Sequence, residues 1–222
     1  MNNVKNIDIL DYGRFVSAFA VMMFHYIVNG PKGGKIKSYG FGADPISAAA
    51  SLGYIGVDFF FMVSGFVIAL SASSVTPKQF FRSRFLRLWP TFILCMTITA
   101  IVRLASGRAD MAIGLDQYFA NWTMAAPFIG YPNVDGVYWT LVYELVFYAM
   151  MLVILMLGWV SRLETLCRLW LVAILLLELT GVSVPGFTGY FALFCAGCMF
   201  SFVWRFGWTP ARAAFLLLAA IY

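Results

Sequence analysis

The chain has 222 residues, of which 62% are hydrophobic and 11% are charged. A soluble domain is closer to about half apolar and about a quarter charged, so this excess of apolar surface needs a bilayer as its solvent. The net charge of +5 does not indicate nucleic-acid binding, because the Lys and Arg residues lie in short clusters between apolar runs, as in membrane-protein loops.

Seven apolar segments have the length, or nearly the length, of a membrane span of about 20 residues. In chain order they are residues 12–29, 52–71, 88–105, 138–158, 169–182 and 188–204, and a segment that begins near residue 211. The sequence therefore predicts an all-α fold, a polytopic transmembrane helix bundle of six or seven spans that forms a single membrane domain over residues 1–222. The seventh segment is only half a span long, so we expect the chain to be the N-terminal part of a longer protein.

Three polar connectors separate the earlier spans. Residues 30–42 are rich in Gly and Lys, residues 73–87 are polar and basic, and residues 106–136 have an apolar middle that suits the membrane interface. With the N-terminus inside, ten Lys and Arg residues lie on the inner side and five on the outer side: Lys32, Lys35, Lys37, Arg103 and Arg108. This bias predicts a cytoplasmic N-terminus.

Four ionisable residues lie within or at the ends of predicted spans, where a charge is costly and is a candidate for function. Arg14 and His25 are eleven residues apart, about three helical turns plus 20°, so they face the same way. Asp58 and Glu144 each lie six residues, about 9 Å, inside a span that enters from the outer side. His25 lies about 14 Å from that side by the same count, so three titratable groups are expected at similar depth.

Two interpretations of this polar group remain open. A histidine with a carboxylate partner is the usual equipment of a general base. Equally, buried polar side chains can form a network that holds membrane helices together.

A basic segment contains Arg82, Arg84 and Arg87 on the predicted inner side. Arginine suits phosphate recognition, but such clusters more often act only as positive-inside anchors. By itself, the cluster favours the anchor interpretation.

The four cysteines lie in or beside apolar segments, and Cys195 and Cys198 have the spacing of a redox or zinc motif. We favour small residues at a helix–helix contact, because such residues let membrane helices approach closely. The single histidine excludes a His-rich metal site, and no metal site is predicted.

Four segments share an order that points to one family. Residues 10–14 read LDYGR, with His25 eleven positions after Arg14, and residues 56–66 read GVDFFFMVSGF; residues 81–90 read FRSRFLRLWP, and residues 139–148 read WTLVYELVFY. Together these motifs resemble those of the acyltransferase-3 family of integral membrane acyltransferases, whose members have about ten spans. The resemblance covers residues 10–148 and fades after them.

The resemblance implies O-acylation, usually O-acetylation, of an extracytoplasmic or lipid-linked carbohydrate. It implies acyl-CoA, usually acetyl-CoA, as a donor substrate, no bound cofactor, and a bacterial inner membrane as the location. The expected partners are the lipid bilayer, the carbohydrate acceptor and acyl-CoA, and no nucleic acid.

The resemblance also implies roles for individual residues. His25 would deprotonate the acceptor hydroxyl or carry the acyl group transiently. Glu144 or Asp58 would orient His25 and stabilise its imidazolium, and Arg14 would position the thioester arm or balance charge.

The remaining candidates would bind substrates. Arg82 and Arg84 would hold the donor phosphates at the inner face. Trp139 and Tyr143 would contact the sugar or the pantetheine arm, although an interfacial aromatic belt explains these two nearly as well.

Two other classes of function remain. The first is a multi-pass transporter or exporter of a cell-envelope carbohydrate or its precursor, with the polar group as a proton relay. Transporters often contain internal repeats, and this sequence shows no repeated segment. The second is a non-catalytic scaffold for polysaccharide assembly, in which replacing His25 would leave function intact.

Overall fold

The computed structural model describes residues 8–30, 45–107, 111–181 and 187–220. Every regular element in these ranges is a helix, which confirms the predicted all-α class. Helices that are long and apolar enough to cross a membrane number four in the described residues: Pro45–Ala72, Pro77–Ala105, Gly136–Met156 and Gly189–Phe206. The total of six or seven spans stays a prediction.

The described ranges contain nine α-helices. In chain order they are α1 (Asp8–Met23), α2 (Pro45–Ser51), α3 (Ile55–Ala72), α4 (Pro77–Ala105), α5 (Leu115–Asn121), α6 (Trp139–Met156), α7 (Leu163–Leu179), α8 (Phe187–Phe206) and α9 (Pro210–Ala219). A π-helical segment, Phe24–Asn29, continues α1, and the 3-10 turn Leu52–Tyr54 joins α2 to α3.

The chain folds as two compact units. The first consists of residues 1–71 and 162–222, and the second consists of residues 72–161. The first unit therefore contains α1 to α3 and α7 to α9, and the second contains α4 to α6.

Glycine contacts set the packing of the first unit. A Cβ atom at Gly65 of α3 would lie 2.1 Å from the backbone oxygen of Phe194, and one at Gly197 of α8 would lie 1.9 Å from that of Met62. Neither distance is possible for a real Cβ atom, so α3 and α8 touch backbone to backbone because glycine occupies both positions. Small residues at membrane helix contacts have this effect.

Cys198 lies at the same contact. Cys195 and Cys198 are buried, and the Cys198 thiol donates to the backbone oxygen of Gly65 at 3.4 Å. The interpretation of a small residue at a helix–helix contact is confirmed for Cys198.

A second pair of glycines brings α1 close to the helix that contains α2 and α3. A Cβ atom at Gly53 would lie 2.2 Å from the backbone oxygen of Ala20, and one at Gly56 would lie 2.7 Å from that of Ser17. These contacts fix the distance between α1, which carries Arg14, and α3.

An ion-pair network joins α7 to α9 in the first unit. The Arg212 guanidinium donates to both carboxylate oxygens of Glu164, at 3.0 and 2.9 Å, and to the backbone oxygen of Gly207 at 2.7 Å, while Arg168 also pairs with Glu164. The Arg212 hydrogen bonds hold the pKa of Glu164 below its usual range. Because the folded-state pKa is lowered, this network stabilises the unit at neutral pH, and its contribution is lost as the pH falls through that lowered pKa.

The second unit has its core between α4 and α6. Its buried apolar residues are Phe92, Met96, Ala100, Met124 and Val134. The connector between the two helices contributes the last two of these, so it is part of the packed core of the unit.

Asn121 holds this connector in place. Its side chain is buried and bonds to the backbone of Gln117, Pro132 and Val134, at 2.9, 3.0 and 3.0 Å. Arg103 adds hydrogen bonds to the backbone oxygens of Met111 and Val134.

The prediction of a basic connector over residues 73–87 is wrong for most of its length, because α4 begins at Pro77. The Thr76 hydroxyl accepts from the Gln79 N–H at 3.3 Å, and the Gln79 side chain accepts from the Thr76 N–H at 2.9 Å. This capping box satisfies the first backbone groups and starts the helix three turns before the apolar run. Arg82, Arg84 and Arg87 therefore lie on a helix.

Other boundaries also differ from the predicted ones. The second predicted span began at residue 52, whereas its helix begins at Pro45. The fifth was placed at residues 169–182, whereas α7 is Leu163–Leu179. Residues 31–42 of the first connector, Arg108, and residues 221–222 at the end of the seventh segment lie outside the described residues.

Replacing Gly197 by Ala should destabilise the first unit by about 1–3 kcal/mol, because the new methyl group overlaps the Met62 backbone oxygen and one helix must move. Gly189→Ala, in the same helix, is the matched control, because a Cβ there meets no atom within 4 Å. That variant should be neutral or up to about 1 kcal/mol more stable.

Thermal unfolding of the purified protein in detergent measures both changes. Equal melting temperatures for the two variants would contradict the backbone contact between α3 and α8.

Candidate functional site

Arg14 faces α3 from the middle of α1. Its side chain is 12% exposed, and its guanidinium carbon lies 5.9 Å from the centre of the Phe60 ring. Asp11, one turn earlier, lies 3.7 Å from the guanidinium. The neighbouring Gly13 brings α1 against Phe59, since a Cβ there would lie 2.9 Å from that ring. The positive charge at residue 14 is therefore held against α3.

His25 is half-buried in the π-helical segment that continues α1. Its backbone oxygen accepts from the Gly30 N–H, five residues later, instead of from a residue four positions later. The ring of its neighbour Phe24 packs against Tyr54 at 6.1 Å between centres. Such widened turns occur often at functional sites.

The widened turn changes the helical count made from the sequence. A step of about 100° per residue applies to α1, which ends at Met23. His25 lies two residues beyond that end. The angle of about 100° per residue therefore applies from Arg14 to Met23, and it does not apply from Met23 to His25.

Asn29 is the hydrogen-bond partner of the His25 ring. Its side-chain nitrogen Nδ2 lies 3.3 Å from Nδ1 of His25, and the amide is exposed. Among the described residues, no group hydrogen-bonds the other ring nitrogen, Nε2. One nitrogen of the imidazole is therefore held, and the other can meet a substrate.

Asp58 is half-buried in α3, in the same unit as Arg14 and His25. It lies thirteen residues, about 20 Å, from the start of its helix at Pro45, and not six residues as the sequence predicted. In the described part of the chain, no hydrogen bond or ion pair joins Asp58 to His25. Its role as the partner of His25 stays a prediction.

Glu144 belongs to the second unit, where it is buried in α6 at 5% exposure. The Tyr148 hydroxyl, one turn later on α6, donates to its carboxylate. The Arg84 guanidinium of α4 lies 5.5 Å from the Phe80 ring centre and 5.8 Å from the Tyr148 ring centre. Arg84, Tyr148 and Glu144 thus form one contiguous polar and aromatic cluster inside this unit.

A cavity of about 230 Å³ opens beside this cluster. Arg84 and Tyr148 line it together with apolar side chains of α4 and α6, among them Phe81, Phe85 and Leu152. The cavity is large enough for a short hydrocarbon chain. The one charged residue that lines it, Arg84, is cationic.

The two arginines of the Arg-x-Arg motif point in different directions. Arg84 is half-buried in the cluster, whereas Arg82 is exposed. Trp139 and Tyr143 are half-buried on α6, with their rings edge to face at 5.7 Å between centres. The predicted binding residues of this unit are therefore split between its interior and its surface.

The structure places the sequence-predicted site residues in two sets. Arg14, His25 and Asp58 lie in the first unit, and the others lie in the second: Arg82, Arg84, Trp139, Tyr143 and Glu144. The described residues contain no group of three His, Cys, Asp or Glu side chains arranged to hold a metal ion.

Sequence reasoning missed two members of these sets. Asn29 stands four residues after the histidine, a spacing that places side chains on one helical face. Tyr148 stands four residues after Glu144, and it was noted only as part of a motif. Their spacing is a signal that could have found both.

The sequence of the chain is similar to known proteins. A family model described as an acyltransferase domain, of the acyltransferase-3 type, matches residues 7–222. A relative from Rhizobium radiobacter, described as "Protein 2 in picA locus", is 39% identical over 66 residues. That match covers 27% of this chain and 32% of the relative, so the aligned part is about a third of that protein. No solved structure matches the chain.

The family match extends the resemblance beyond residue 148, across the segments that the four motifs do not reach. The described residues also contain four helices that are long and apolar enough to cross a membrane. The chain therefore belongs to the acyltransferase-3 family.

Proposed function

We propose that this protein transfers an acyl group, usually acetyl, from acyl-CoA to a hydroxyl of an extracytoplasmic or lipid-linked carbohydrate. The observation that carries the proposal is the position and hydrogen bonding of His25. This residue is the only histidine of the chain, it lies in a widened helical turn, and only one of its ring nitrogens is held by the described residues. Family membership supplies the class of reaction, acyl transfer.

The proposed step uses Nε2 of His25 as a general base. Nε2 takes the proton of the acceptor hydroxyl while the oxygen attacks the thioester carbonyl carbon. The carbon–sulfur bond then breaks, and the departing thiolate takes the proton back from Nε2. The product is an ester on the carbohydrate and free coenzyme A, and His25 returns to its starting state.

The cluster of the second unit supports a donor site. Arginine geometry suits phosphate oxygens, and the guanidinium of Arg84 lies at the wall of a cavity that is otherwise apolar. In our proposal, Arg84 binds a phosphate of the donor, and exposed Arg82 adds attraction from the surface.

The orientation and location belong to the same proposal. The ten-to-five charge bias favours a cytoplasmic N-terminus, which would put the start of α4 and its arginines on the side where acyl-CoA is made. We propose the bacterial inner membrane as the site of action, with the acceptor arriving from the opposite side.

Replacing His25 by Gln should lower kcat for acyl transfer by about 100- to 10,000-fold, because glutamine keeps hydrogen bonding but takes no proton at neutral pH. The measurement is transfer of an isotopically labelled acetyl group from acetyl-CoA to envelope carbohydrate, in membranes matched for expression.

Tyr26→Phe is the control, because this neighbouring side chain is 62% exposed and is outside the proposed chemistry. It should keep wild-type activity. A His25→Gln variant that retains most of its activity would show that the histidine is structural and that the base lies elsewhere.

Replacing Arg84 by Ala should weaken acyl-CoA binding by about tenfold or more, since a charge-assisted hydrogen bond is worth about 1.5–3 kcal/mol. Arg82→Ala should have a smaller effect that high salt removes, because its side chain is exposed and its interactions are screened. Arg84→Lys keeps the charge but loses the planar fork, and should restore binding only in part.

Direct binding of labelled acyl-CoA to purified protein measures these affinities. Equal losses in the Arg84→Ala and Arg82→Ala variants would contradict a specific donor contact at Arg84 and favour a general electrostatic anchor.

A further inference from the structure

Asn29 is the one described residue that hydrogen-bonds the His25 ring, at 3.3 Å from Nδ1. We infer that Asn29 is a positioning residue that determines which ring nitrogen of His25 carries the proton. This inference rests on the proposed role of His25 as the base, and it assigns a function to a residue outside the four motifs.

The two side chains are four residues apart, a spacing that places them on one helical face, and the turn that carries them is widened. In an α-helical turn the His25 carbonyl would accept from the residue 29 N–H, whereas here it accepts from the Gly30 N–H. This π-type hydrogen bond spans five residues instead of four. The carboxamide of Asn29 lies beside the imidazole of His25, which is one turn earlier in the chain.

A carboxamide can present either a donor or an acceptor to the same ring nitrogen. With Nδ2 facing Nδ1, the amide donates to an unprotonated Nδ1, so the ring proton lies on Nε2. A half-turn of the carboxamide brings Oδ1 to the same place, and Nδ1–H then donates to it. The exposed amide has room for this rotation.

Only the second arrangement lets His25 act as a base at Nε2. With Nδ1–H donating to Oδ1, Nε2 has a free electron pair and can take the proton of the acceptor hydroxyl. The imidazolium that results carries protons on both nitrogens, and Oδ1 still accepts from Nδ1–H. When the thiolate leaving group removes the Nε2 proton, the starting arrangement returns and no proton is gained or lost.

The neutral amide also suits a turn at the end of a predicted span. A carboxylate at residue 29 would add a full charge to this turn, and a charge within a span is costly. The amide holds both the neutral ring and the imidazolium without adding net charge.

The single histidine allows a direct test by nitrogen NMR. Protein labelled with ¹⁵N-histidine gives signals from one imidazole, and the chemical shifts of its two nitrogens identify the tautomer. We expect Asn29→Ala to change the Nδ1 signal and the tautomer ratio relative to wild type. We expect Asn29→Asp, which can only accept, to place a proton on Nδ1.

Kinetics provides the second readout. Asn29→Ala should lower kcat by about 10- to 100-fold, a part of the total contribution of a general base, with little change in KM for the acceptor. Asn29→Asp should recover part of the loss, because its oxygen accepts from Nδ1–H as Oδ1 does. Val28→Ala, in the same π-helical segment, is the control and should change neither readout.

Unchanged ¹⁵N signals in Asn29→Ala, or full kcat in that variant, would overturn the inference. If His25→Gln abolishes transfer while Asn29→Ala keeps full kcat, the proposed function stands and the role of Asn29 fails. If His25→Gln itself keeps activity, the proposed role of His25 as the base fails, and the NMR signals still report whether Asn29 sets the tautomer.

Discussion

The close approach of helices through glycine is the constraint on which the first unit depends. Gly53 and Gly56 bring the helix that contains α2 and α3 against the backbone of α1, and Gly65 and Gly197 bring α3 against α8. In a bilayer, apolar surface alone does not drive helices together, because lipid tails are equally apolar. Contact at this distance gains van der Waals packing instead, and it fixes α1, with Arg14, against α3.

One turn departs from this regular packing. The turn after Met23 is widened, and in it an ionisable ring and an amide lie side by side at the end of α1. In the second unit, buried Glu144 accepts from the Tyr148 hydroxyl, and the Arg84 guanidinium lies over the Tyr148 ring. In both units a polar group inside the bundle has a named partner, as its cost in an apolar medium requires.

Hydropathy predicted much of the fold. The predicted spans end at residues 105, 158 and 204, and the corresponding helices end at residues 105, 156 and 206. Hydropathy failed at α4, where three arginines lower the hydropathy while Thr76, Pro77 and Gln79 begin the helix. Capping is a property of a few atoms at one turn, and an average over many residues does not register it. The start of the second span was also predicted seven residues late.

The candidate site was predictable in its members but not in their pairing. His25 and Glu144 stand out in the sequence because each is an ionisable residue in an apolar run. The partners that the structure gives them, Asn29 and Tyr148, are uncharged and common, so charge alone does not mark them. The π-helical segment also lies outside any count based on a regular turn.

The most direct test of the central claim is mass analysis of envelope carbohydrates from cells that make the wild-type protein, the His25→Gln variant or neither. The proposed function predicts an ester-linked acyl group, removable by mild base, on the carbohydrate from wild-type cells only. The same acyl modification in cells with the His25→Gln variant would contradict a histidine-based transfer, and its absence from wild-type cells would contradict carbohydrate O-acylation itself.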